Sequence, residues 1–198
     1  MYSVLPSFVL GFHGCDRSVG EDVLADKTHL LPSENSYDWL GSGIYFWENN
    51  PQRALDYAKM LQANPKRTHG KIEDPFVIGA VIDLGRCLNL TESKSIEILK
   101  QGYNLLSKSS QIAEIPLPQN DGLLRRLDCA VINMVHKFYS DENKSSFDSV
   151  RGLFLEGERV YDDAGFFKES HIQICVRNPN CIKGYFRVIE PDSNFPIP

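Results

Sequence analysis

Three residues in this chain stand in patterns that could do chemistry: His13, Tyr45 and Tyr57. His13 closes the apolar run Phe8-Val9-Leu10-Gly11-Phe12 and is followed by Gly14, so an imidazole stands at the end of a short strand. Tyr45 lies in Gly41-Ser42-Gly43-Ile44-Tyr45-Phe46, where two glycines permit a tight bend before a buried β run. Tyr57 follows Ala54 on a helical stretch just downstream. If the two strands are neighbours, imidazole and phenol face one cleft and Tyr57 sets a flat ring beside them. Such a set suits an aromatic ring and a sugar hydroxyl. Each residue also has a plainer reading, as a satisfied strand-end histidine or as tyrosines of the core.

Together the motifs resemble the ADP-ribosyltransferases of the poly(ADP-ribose) polymerase and diphtheria-toxin type, the His-Tyr-Glu branch. That family begins with a strand ending His-Gly, continues to a Gly-x-Gly-Ile-Tyr-Phe strand, and follows it with a helix containing Ala and Tyr. Here these are His13-Gly14, Gly41 to Phe46, and Ala54 with Tyr57. The resemblance implies an α+β domain of two small antiparallel sheets in a split β-sandwich with flanking helices. NAD would bind as co-substrate in the cleft between the sheets. By the same resemblance, His13 hydrogen-bonds the adenosine-side ribose and Gly14 offers backbone amide groups to the nicotinamide carboxamide. Tyr45 and Tyr57 sandwich the nicotinamide ring, and offset stacking contributes about 0.5–1.5 kcal/mol per ring beyond burial. The helix is one residue longer between the two tyrosines than the family usual. Arg53, one turn before Tyr57, is placed to approach the pyrophosphate and fits a surface arginine equally well.

The third family position is a glutamate on a late strand of the form Glu-Tyr-Val-Val-Tyr-x-Pro. The matching run is Gln173-Ile174-Cys175-Val176-Arg177-Asn178-Pro179, which puts Gln173 where the carboxylate should stand. Period-two geometry lets Glu169, His171 and Gln173 share a strand face, so a frame shift would substitute His171 or Glu169. A glutamine grips a ribose hydroxyl without charge, and neutral hydrogen bonds are about half as strong as charge-assisted ones. Nor can it act as general base. Single transfer to an acceptor that is already nucleophilic fits this better than chain elongation.

The resemblance thus implies a mono-ADP-ribosyltransferase acting on a protein or nucleic-acid acceptor, as a toxin or phage-defence effector. A toxin role would bring a neutralising antitoxin or partner protein, for which the helical segment 86–149 is available. Two alternatives stand beside it: a catalytically silent module that binds NAD or ADP-ribose, and an NAD glycohydrolase. The loop Gly157 to Ser170 carries acidic turn residues and Phe166-Phe167 directly before the third strand, which suits a recognition tip for the acceptor.

Composition narrows the class. The 198 residues, 42% hydrophobic and 24% charged, suit a single globular domain, 1–198, with a helical insertion at about 86–149. Net charge −5 argues against a broad nucleic-acid surface. Lys66-Arg67-Thr68-His69-Gly70-Lys71 and Arg125-Arg126 are candidates for a local basic groove, or are simply solvated. Five cysteines without a CxxC pair read as free thiols in a reducing cytoplasm. No apolar run approaches a membrane span, and the first six residues lack the basic start of a secretory signal. There is no third glycine for a dinucleotide-fold fingerprint, no nucleophile elbow, no phosphate-binding loop and no metal-ligand spacing.

Local signals place the elements. Ser18-x-x-Glu21 reads as a capping box for a short helix. Lys27 to Leu40 reads as a loop. Asn50 and Pro51 open a helix that runs to about Gln62 and ends at Asn64-Pro65. Phe76 to Leu84 is a strand. From Thr91 the spacing is helical, with Ile115-Pro116-Leu117-Pro118 breaking it before a second helix around Leu123 to Phe138. Ser140 to Ser149 reads as polar and mobile. Strands follow near Val150–Phe154, Ile172–Val176 and Ile182–Val188, then a loose tail from Asp192. Residues 1–85 and 150–190 would form the catalytic shell.

Overall fold

The computed structural model describes residues 8–65 and 71–189; Lys66 to Gly70, the first residues and the tail from Asp192 lie outside them. Nine strands and four helices follow one another as β1 (Phe8–Asp16), α1 (Arg17–Leu24), β2 (Ile44–Glu48), α2 (Pro51–Ala63), β3 (Pro75–Asp83), β4 (Cys87–Asn89) and α3 (Ser93–Ala113). Then come β5 (Asn120–Asp121), β6 (Leu124–Arg125), α4 (Arg126–Asp141), β7 (Ser149–Phe154), β8 (His171–Val176) and β9 (Ile182–Arg187). The α+β class holds. Seven of the strands form one mixed sheet, β4-β7-β8-β2-β1-β3-β9, and β5 and β6 pair in a separate two-stranded hairpin. All pairings are antiparallel except β4 with β7.

The joint between β1 and β2 is narrow. Only Gly11 with Glu48 and Phe12 with Trp47 are paired there, whereas β1 pairs β3 along its whole length, Phe8↔Asp83 to Asp16↔Pro75. Beyond Phe12 the two halves of the sheet therefore part.

Period-two alternation decides which side each helix covers. Ile44, Phe46, Ile78, Ala80, Ile82, Ile174 and Val176 turn to one face and pack with Val23 of α1. On the other face Phe12 and Trp47 pack under Ala54 of α2, while Val150 and Cys175 pack under Ile132 and Val135 of α4. This second face carries two separate apolar clusters with a gap between them. Segment 86–149 is more integrated than an appended insertion: β4 closes the sheet edge, and α3 crosses α4 so closely that a Cβ on Gly102 would meet Val135 Cγ2 at 2.4 Å.

The helix α2 begins as its sequence requires, Asn50 accepting a hydrogen bond from the Arg53 amide at 3.1 Å with Pro51 in the first turn. The cap of α1 differs from the expected box. Asp16 is the N-cap, and Ser18 donates to it through both its amide and its hydroxyl. The same carboxylate accepts the amides of Glu73 and Asp74, at 2.8 and 3.0 Å, pinning the entry to β3. The polar stretch before β7 is likewise tied down at Asp148, whose carbonyl accepts the amides of Arg177 and Asn178. All five cysteines are free, and burial pushes Cys175 up to about 12. Among the described residues no helix is long and apolar enough to cross a membrane.

The hydrogen bonds to Asp16 hold its carboxyl well below the usual carboxylate range. A depressed folded-state value means the stabilisation is fully present above the unfolded value of about 3.9 and is lost as pH falls through the folded one. Asp16→Ala is expected to lower stability at neutral pH by about 1–2 kcal/mol. The difference in urea midpoint between variant and parent should shrink as pH drops below about 3.9; a constant difference would show that the charge is not what matters.

Candidate functional site

The gap between the two apolar clusters is the mouth of a cavity of about 810 Å³. Its floor is the uncovered sheet face: Tyr45 and Trp47 of β2, with Gln173 of β8 directly opposite Trp47. Arg53 and Tyr57 enter from α2, and His13 from the place where β1 leaves β2. The hairpin β5–β6 supplies Asp121, Leu123 and Leu124 to the rim. It is latched there by Trp39, whose indole N–H donates to the Leu123 carbonyl at 2.7 Å.

His13 occupies the parting of the strands. Its Nδ1 lies 2.8 Å from the Tyr45 carbonyl, an acceptor only, so Nδ1 carries the proton and Nε2 is left as an acceptor. Burial lowers the imidazole below its ordinary 6.5, so the ring is neutral at physiological pH. A side chain here takes over a ladder position the backbone has vacated.

The hydroxyl of Tyr45 donates to the Gly41 carbonyl at 2.6 Å and accepts the Leu40 amide at 2.9 Å. Burial raises the phenol well above its ordinary 10, so it remains neutral. The glycine turn that receives it is held from outside. Asn133 of α4 accepts the Ser42 amide at 3.2 Å, and Arg177 donates to the Ser42 carbonyl at 2.7 Å. Gly41 has φ +76°, and a Cβ there would meet Asn133 Oδ1 at 2.8 Å. Neither Asn133 nor Arg177 carried a sequence signal. Trp47 did: it stands two residues beyond Tyr45 on a strand and so shares its face. Its ring lies 4.9 Å from that of Tyr57, it is 4% exposed, and its buried indole N–H has no hydrogen-bond partner among the described residues.

Three of the residues singled out in the sequence stand in contacts that the sequence did not indicate. Gly14 is not in the cavity wall. Its missing side chain faces α2, where a Cβ would come within 2.1 Å of the Ala54 carbonyl oxygen, so helix–strand packing requires this glycine. Arg53 is engaged by two carboxylates, its Nη2 being 3.1 Å from Glu156 and 3.3 Å from Glu169. Five carboxylates line the cavity with it, so Arg53 is the one guanidinium among its lining residues. Arg125 lies 5.1 Å over the Trp39 ring.

Of the three candidates for the late-strand position, Gln173 and Glu169 line the cavity and His171 does not. His171 is 5% exposed. Its Nδ1 donates to the Glu169 carbonyl at 2.7 Å, its Nε2 is buried without a partner among the described residues, and burial lowers its pKa. Glu169 precedes β8, in the return arm of the 157–170 loop. That loop is an irregular hairpin, joined by Val160 to Phe166, Lys168 to Glu158 and Glu169 to Glu156, with Tyr161 and Phe166 exposed at its tip. Glu156, which carries no local sequence signal, faces Glu169 across it.

No family model matches the chain, and no solved structure matches it. It is similar to an uncharacterised protein of Methanocaldococcus jannaschii, 27% identical over 191 residues that cover 87% of this chain and 83% of the relative.

Proposed function

We propose that this chain is a mono-ADP-ribosyltransferase that cleaves NAD at the bond between nicotinamide and ribose and passes ADP-ribose to a macromolecular acceptor. The observation that carries the reading is the convergence of His13, Tyr45, Tyr57 and Gln173, from four separate elements, on one cavity. The neutral imidazole offers Nε2 to a ribose hydroxyl, a contact contributing about 0.5–1.5 kcal/mol. Tyr45, Trp47 and Tyr57 supply aromatic faces for the nicotinamide ring. The net negative lining favours the cationic end of NAD and the oxocarbenium-like ribose left when nicotinamide departs, which offsets part of what a neutral Gln173 lacks. A role as toxin or defence effector, with an antitoxin on α3 and α4, rests on the family resemblance.

One observation favours a second reading, a module that binds NAD without cleaving it: Gln173, an amide that cannot act as general base, lines the cavity. Incubation with labelled NAD and cell lysate separates the readings. A labelled macromolecule supports transfer, free ADP-ribose supports hydrolysis, and the absence of both products overturns the enzyme and supports the binding module. A nicotinamide-mimicking inhibitor is expected to bind in the low-millimolar range or better, about −4 kcal/mol. Tyr45→Ala should weaken it several-fold by calorimetry, with circular dichroism reporting the fold; unchanged affinity removes Tyr45 from the site.

A further inference from the structure

Among the described helices α3 is the longest, with 21 residues from Ser93 to Ala113. Where it crosses α4 at Gly102, a groove of about 310 Å³ opens between the two helices. Ile98 and Leu105 of α3 meet Val135, Phe138 and Tyr139 of α4 in that groove, and Lys108 stands with them. Residues seven apart lie on nearly one face of a helix, drifting about 20° with each step. Ile112, the next in the row after Ile98 and Leu105, therefore carries the apolar stripe beyond the groove, and it is 87% exposed. From Ile98 to Ile112 the stripe is about 21 Å long, roughly four helical turns.

Charge runs beside it on the same spacing, in the row Lys94, Gln101, Lys108. Within α3 three lysines, Lys94, Lys100 and Lys108, stand against one carboxylate, Glu97. None of the three is ion-paired among the described residues. Across the groove Lys137 and Lys144 are matched by Asp141 and Glu142. The unmatched positive charge thus lies on α3, in a chain whose net charge is −5.

We propose that this groove docks an acidic amphipathic helix of another protein. The assignment stands apart from the NAD reading and does not need it. Apolar side chains at i, i+3 or i+4 and i+7 of such a helix fill the stripe, while Asp and Glu on its flank meet Lys94 and Lys108. A second copy of this chain fits less well, because it would set the same lysine row against itself. A nucleic acid would answer the lysines and leave the apolar stripe in water. A flat bilayer cannot fill a recess between two helices.

The test pans a displayed library of random peptides of about 20 residues, long enough to span the stripe as a helix, against the full chain. The enriched peptides are expected to be net acidic, with apolar residues at helical spacing. By fluorescence polarisation a synthetic copy of one should bind Lys94→Glu/Lys108→Glu at least about tenfold more weakly, and should weaken with rising salt. Ile112→Asp should weaken it comparably. All three positions are exposed, so circular dichroism should report an unchanged fold. No enrichment, enrichment of basic or uncharged peptides, or undiminished binding to both variants overturns the assignment. So does a dimer in sedimentation that Ile112→Asp abolishes, which makes a second copy the occupant. Binding of an RNA oligonucleotide or of phosphatidylserine vesicles that is lost in Lys94→Glu/Lys108→Glu overturns it likewise.

Discussion

Gly14→Ala is expected to destabilise the protein by at least about 3 kcal/mol, since overpacking against a rigid neighbour at the high end costs this much. The added methyl group would stand 2.1 Å from the Ala54 carbonyl oxygen and 3.2 Å from the Ala58 Cβ. A flexible side chain could turn away from such a contact. A carbonyl within α2 cannot, so the helix must lift from β1. Tyr57 and Arg53 ride on that helix, and the cavity wall should open with it. The measurement is the urea midpoint beside Gly184→Ala, a control whose Cβ meets nothing within 4 Å. That control should change stability by no more than about 0.5 kcal/mol. If both substitutions behave alike, the close approach of α2 to β1 is not real.

The second large effect belongs to Gln173. Gln173→Ala is expected to reduce nicotinamide release tenfold or more, about 1–3 kcal/mol in the barrier, with little loss of stability because the side chain faces a cavity. Gln173→Glu restores the charge at the same place, opposite Trp47, and should keep or raise NAD cleavage while shifting the balance between hydrolysis and transfer. The two other candidates should separate by phenotype. His171→Ala removes a buried ring packed between Trp47 and Phe154 and should act first on stability. Glu169→Ala leaves the core intact and frees one contact on Arg53. Full activity in Gln173→Ala together with loss in folded Glu169→Ala would move the essential position to the loop. Activity in all three would rule the mechanism out.

Short-range signals in the sequence were enough for the elements around the site. Asn50 and Pro51 start α2, alternation at Ile44 to Trp47 makes a strand with two faces, and the glycines before it require a turn that only φ > 0 allows. His13, Tyr45, Tyr57 and Gln173 could be named because each sits at a fixed offset from such a signal. Asp16 displaced the expected Ser18 cap because two amides from Glu73 and Asp74, far along the chain, bind the same carboxylate. Gly14 carries no local mark that its partner is a helix carbonyl. Asn133 and Arg177 reach the glycine turn from α4 and the end of β8, and Glu156 meets Arg53 only because the loop folds back on itself. What the sequence determined by itself were strands, helices and the residues bound to them by spacing. The tertiary structure alone decided where the sheet parts, which helix covers which face, and which charges meet in the gap. Periodicity and capping act within a few residues, whereas these depend on burying apolar faces against partners distant in the chain.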